Sequence, residues 1–131
     1  MIIQRITLPK YDWKIVVFHN TNADNEHVVI NALKEICNDE KIIDTATQSV
    51  RNRTYNNGFI YSNFKLKRSV ISIGVASSSE EYIDTIIHEA NHLQSHIATV
   101  YNLDEKGEEV CYLIADIVKR IYKDFRKIIA Q

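Results

Sequence analysis

Two hydrophobic periods run through this chain, one of about two residues and one of about 3.6, and their order predicts the elements. Residues 13–18 (WKIVVF) form a short β-branched apolar run that predicts a strand, followed by Asn20, Thr21, Asn22 and Asp24 as turn and capping residues. Over 25–37 the apolar positions Val28, Val29, Ala32, Leu33 and Ile36 recur at helical spacing, with Glu26, Lys34 and Glu35 on the other side. A second, less regular helix is predicted from 41 to about 51, carrying Ile42, Ile43, Ala46 and Val50. Asn56-Asn57-Gly58 marks a turn. Residues 58–63 (GFIYSN) and 69–75 (SVISIGV) then predict two strands able to pair as a hairpin across a polar connection.

The longest helical pattern comes next. Ser77-Ser78-Ser79-Glu80-Glu81 holds two overlapping S-x-x-E capping boxes, which satisfy the orphan amides at a helix start. From 82 to about 101, Ile83, Ile86, Ile87, Ala90, Leu93, Ile97 and Val100 make an apolar stripe, and His88, His92, Ser95 and Thr99 fall opposite it. Residues 102–107 (NLDEKG) predict a loop. Glu108 or Glu109 opens a last amphipathic helix with Val110, Leu113, Ile114, Ile117, Val118, Ile121 and Phe125 toward the core. The expected architecture is α+β, a few-stranded mixed sheet packed against the 82–101 helix and a C-terminal helix.

Composition narrows this picture. At 131 residues and 45% hydrophobic the chain suffices for one domain with a buried core, and three Gly and one Pro leave no linker. With 16 basic and 17 acidic residues, no net field draws it to nucleic acid or to a membrane surface. The compact basic run Lys65, Lys67, Arg68 lacks the stacking aromatics of a single-strand binding surface and reads as a solvated loop; the basic cluster Lys119, Arg120, Lys123, Arg126 and Lys127 reads as an exposed face complementing a helix dipole. The first ten residues contain no apolar run of signal-peptide length, so a cytosolic location is expected. Cys37 and Cys111 each sit in an apolar helical pattern, which predicts buried, reduced thiols. His19 and His27 are expected at the surface or satisfied within the fold.

The chemistry is concentrated in His88-Glu89-Ala90-Asn91-His92, an HExxH motif on a predicted helix. Four helical residues separate the two imidazoles by about 6 Å along the axis and about 40° around it, so both rings can reach one zinc ion. Glu89 stands about 100° round from His88, poorly placed as a ligand but able to act as general base on a water at that ion. A third ligand is needed. Ser95 and Ala98 occupy the positions where the longer HExxHxxGxxH pattern has Gly and His, and His96 lies about 12 Å along the axis from His88. A carboxylate after the loop remains: Glu108, with Glu109 as its competitor and Asp104 and Glu105 less firmly held. Tyr101 or Tyr112 is expected to stabilise a developing oxyanion, and the 69–75 strand to serve as an edge that binds an extended peptide or protein substrate.

Over 58–116, the segments GFIYSN, SVISIG, SSSEEYIDTIIHEANHL and GEEVCYLIAD resemble a group of short proteins of Bacteroides-type bacteria and their phages or mobile elements. Those proteins share HExxH followed by E-E-x-A-Y-L; Glu108 matches the first Glu, Cys111 replaces the Ala, and Tyr112-Leu113 match. The resemblance implies a gluzincin-like zinc metallopeptidase of the zincin class, with His88, His92 and Glu108 as metal ligands and Glu89 as the base. Tyr112 stands where thermolysin-like enzymes have the Asp of NExxxD, so Asp84 or Asp116 is expected to orient a ligating histidine. The competing reading is a non-catalytic zinc-binding or structural module that retains the helix pair, favoured by the chain's small size.

Overall fold

A computed structural model describes residues 1–52 and 55–130. The elements in chain order are β1 (Ile2–Leu8), β2 (Trp13–Thr21), α1 (Glu26–Lys34), α2 (Glu40–Arg51), β3 (Gly58–Asn63), β4 (Arg68–Gly74), α3 (Ser79–Tyr101), α4 (Glu108–Tyr122) and α5 (Phe125–Ile129), with 3-10 turns at Pro9–Tyr11 and Ala23–Asn25. The four strands form one mixed sheet in the order β1-β2-β4-β3. β1 is antiparallel to β2, β2 parallel to β4, and β3 antiparallel to β4. The chain is α+β, and 58–63 and 68–74 are the hairpin the sequence predicts.

Period-two alternation divides the sheet's side chains between two helical layers. Trp13, Ile15, Val17, Ile71 and Ile73 face α3 and α4, where Tyr82, Ile86, Leu93, Ile97, Leu113, Ile117 and Ile121 meet them. Phe18 and Val70 face the other way, onto Val29, Ile36 and Val50. Ile30, Leu33, Cys37, Ile43 and Ala46 extend that second layer between α1 and α2. No helix among the described residues is long and apolar enough to cross a membrane.

Local chemistry fixes the ends of the site helix. Ser78 Oγ accepts from the Glu81 amide, with Glu80 and Glu81 in the first turn, and Asn102 closes the helix in a left-handed conformation. Several expectations shift. Residues 2–8 form a strand the pattern did not announce, because the buried face of β1 reads Ile2, Gln4, Ile6, Leu8 and Gln4 interrupts it. The last helix breaks after Tyr122, and Phe125 begins α5. Ile87, placed on the apolar stripe from sequence, is 49% exposed, whereas Tyr82 and Thr85 are buried in its stead. Cys37 is buried, but Cys111 lies exposed on α4; both are free thiols.

Gln4 is polar because it serves a buried network. Its Nε2 donates to the Ile121 carbonyl and to Asp124 Oδ2, and its Oε1 meets His19 Nε2. Tyr82 Oη reaches the other ring nitrogen of His19 at 3.0 Å. His27, by contrast, is exposed in the first turn of α1. Burial lowers the pKa of His19 from its ordinary 6.5 to about 4, against a smaller opposing pull from Asp124. A depressed folded pKa means that the neutral ring's contribution is complete above about pH 6.5 and is lost as the pH falls toward 4. The loss of stability between pH 7.5 and pH 5 in urea unfolding is therefore expected to be on the order of 2 kcal/mol smaller in His19→Gln than in the wild type. An equal loss in both would contradict the assignment.

Candidate metal centre

His88 and His92 project from α3 on its solvent side, one turn apart, and their rings meet edge to face with centroids 4.8 Å apart. Their Nε2 atoms lie 3.2 Å from each other. Two imidazole nitrogens bound to one tetrahedral zinc at about 2.05 Å would be about 3.3 Å apart. The pair thus already has the spacing of a two-point chelate.

Glu89 takes the opposite course into the protein. It is 3% exposed, its Oε1 lies 4.0 Å from His88 Nε2, and its Oε2 is buried with no hydrogen-bond partner. Gln94 Oε1 is the other such atom among the described residues. Burial raises the Glu89 pKa, offset in part by His88. An unsatisfied buried polar atom costs about 1–3 kcal/mol, and this one lies beside the two imidazoles. The helical wheel gives the 100° offset of Glu89; what sets its depth is β3, across which Gly58 leaves room. A Cβ at Gly58 would lie 3.1 Å from Thr85 Cγ2, 3.1 Å from the Ser72 carbonyl and 3.7 Å from Glu89 Cγ. Gly58→Val is expected to push α3 off β3 and destabilise the fold by about 1–3 kcal/mol, measured as a drop in urea midpoint. An unchanged midpoint would show that the approach is slack.

No family model, no curated protein and no solved structure matches the chain. The site therefore rests on its own geometry.

Among the described residues no three His, Cys, Asp or Glu side chains stand close enough to share one ion. The structure brings His88 and His92 together, with Glu89 Oε1 4.0 Å from His88 Nε2, and Glu108 completes no three-residue group with them. The two candidates at the start of α4 nonetheless differ. Glu109 Oε1 accepts from Tyr11 Oη at 2.9 Å and from Lys10 Nζ at 3.1 Å, which holds its pKa down. Glu108 is exposed and has no such partner among the described residues. Glu105 is tied by Ser95 Oγ at 3.0 Å, three residues beyond His92, and Asp104 caps the loop through the Lys106 amide. Glu105 is thus better anchored than its loop position suggested.

Tyr101 donates its hydroxyl to the Tyr11 carbonyl, and Tyr112 lines a groove with Tyr11 and Glu109 at the end of β1. Asp116 is engaged by Arg120, while Asp84 stays exposed one turn before His88. The strand expected to be the open edge, 69–75, is interior: β4 pairs with β2 on one side and β3 on the other, and the edge strands are β1 and β3.

His96 has a role that its i+4 spacing concealed. It turns toward β3, half buried, and its Nδ1 lies 2.7 Å from Ser62 Oγ. Ser62 is 2.6 Å from Ser69 Oγ, which accepts from Trp13 Nε1 at 2.8 Å. Since the indole can only donate, every hydrogen in this relay finds an acceptor when Ser69 donates to Ser62 and Ser62 to His96 Nδ1. That assigns the His96 proton to Nε2. Burial, and after it the neighbouring His92, lowers the His96 pKa.

Proposed function

We propose that the chain is a zinc-dependent hydrolase of the metallopeptidase class, with a zincin-like arrangement of α3 beneath an open sheet edge. One observation carries this reading: two imidazole nitrogens 3.2 Å apart, next to a buried carboxylate with an unpartnered oxygen. His88 and His92 would hold the metal through Nε2, with Glu108 as the third ligand, the first carboxylate of α4 and one free of competing partners among the described residues. When bound, zinc supplies a Lewis acid that polarises a carbonyl and acidifies a water.

The chain's own residues supply the remainder. Glu89 accepts a proton from the attacking water and returns it to the leaving amine, a task suited to a carboxyl whose pKa burial raises above the usual carboxylate value. Its enclosure between α3 and Gly58 excludes bulk water from that transfer. β3, the edge strand on the side of α3 and Glu89, offers backbone pairing to an extended peptide. A cytosolic location and the kinship with HExxH proteins of Bacteroides-type bacteria and their phages belong to the same proposal.

The second reading, a non-catalytic metal module, is favoured by the lack, among the described residues, of a third side chain grouped with the histidine pair. Zinc stoichiometry and hydrolysis of an unstructured protein separate the two. One ion per chain with turnover supports the hydrolase, one ion without turnover supports the module, and no ion under saturating zinc overturns both.

A further inference from the structure

β3 is one of the two terminal strands of the sheet, and unlike β1 it has a cavity of about 330 Å3 walled by α2 against it. Ile42, Thr45 and Ala46 of α2 wall one side, and Phe59, Ile60 and Tyr61 of β3 the other. Phe59 and Tyr61 pair with Ser72 and Val70, and so share the sheet face covered by α1 and α2. Ile60 pairs with Ile71, on the face covered by α3. Ile60 lies between Phe59 and Tyr61 in the strand, so the cavity runs beside the β3 backbone, whose outer side has no strand partner among the described residues.

That edge decides the kind of occupant. The outward N–H and C=O groups of a terminal strand are a template for another extended chain, which a helix or a rounded surface cannot satisfy. A chain laid along β3 projects its side chains alternately. One set points toward α3, where Glu89 is packed beneath Gly58; the other points toward α2 and enters the cavity. The lining is aliphatic and aromatic apart from Thr45, Ser49 and one charge, Lys41.

We infer that the cavity between α2 and β3 is the subsite that selects one apolar side chain of an extended peptide bound along the β3 edge. The hydrolytic reading above determines what then happens to that peptide, but the selection itself needs no metal. An acidic side chain drawn to Lys41 is the alternative occupant that the experiment tests.

The probe is a pair of end-blocked octapeptides of alternating Ser and Gly, one with a central Leu and one with Asp at that position. Each is titrated into the 15N-labelled full chain carrying Glu89→Gln, so that binding is followed without turnover. The Leu peptide is expected to shift the amide signals of α2 and of Phe59, Ile60 and Tyr61, and to bind at least about tenfold more tightly than the Asp peptide. Thr45→Trp, at an exposed position that leaves the core intact, should fill the cavity and abolish the preference. Equal binding, tighter binding of the Asp peptide, shifts confined to other surfaces, or no binding of either peptide would each overturn the inference. The two proposals fail separately. Loss of zinc binding and turnover with the Leu preference intact removes the hydrolase and leaves the subsite. Turnover with no such preference removes the subsite and leaves the hydrolase.

Discussion

Glu89→Gln is expected to bind zinc as the wild type does and to hydrolyse an unstructured protein about 10^2–10^4-fold more slowly. The amide has the size and shape of the carboxyl it replaces but cannot take a proton, so a loss of turnover isolates proton transfer from structure. Its effect on the fold should have the opposite sense. Glu89 is 3% exposed with one oxygen unpartnered, and a neutral amide costs less to bury than a carboxylate. The zinc-free variant should therefore melt no lower than the zinc-free wild type. Parallel measurement of zinc content, kcat and melting temperature decides the matter: unchanged kcat removes Glu89 from the chemistry, and lost zinc with a lowered melting temperature makes it a structural residue.

His88→Ala and His92→Ala should each weaken zinc binding by more than the about 10–100-fold that loss of an outer-shell partner costs, and abolish turnover with it. Both rings are exposed, so stability without zinc should stay within about 0.5 kcal/mol of wild type. Competition titration with a chromophoric chelator gives the affinities. The carboxylates at the head of α4 form an internal control. Glu108→Gln should weaken zinc, whereas Glu109→Gln should release Lys10 and Tyr11 and leave zinc affinity unchanged. The reverse pattern would assign the third position to Glu109, and no effect from either would direct attention to Glu105, held by Ser95 of α3.

These expectations divide according to what a sequence can carry. The position of α3 was legible because cap, stripe and motif are all local, written within some twenty-five consecutive residues. The nearness of His88 to His92 was legible for the same reason, being set by helical pitch. The burial of Glu89 was not, since it depends on a glycine thirty-one positions earlier whose strand happens to be a sheet edge. Strand order likewise escaped: the run 69–75 is nearest to α3 in sequence, yet β3 crosses to the outside. Gln4 and His19 obscured β1 and the buried network together, each polar residue looking like a surface position until the other is set beside it. Two polar residues on otherwise apolar strand faces were the only available sign.

The relay from Trp13 to His96 has a practical consequence. Trp13 is the single tryptophan of the chain, wholly buried, with its indole N–H committed to Ser69. Intrinsic fluorescence excited at the indole thus comes from one chromophore, lodged where β2, β4 and the β3–β4 turn meet α3. Its emission should move to longer wavelength when the sheet separates from that helix, giving an optical readout of folding that needs no label.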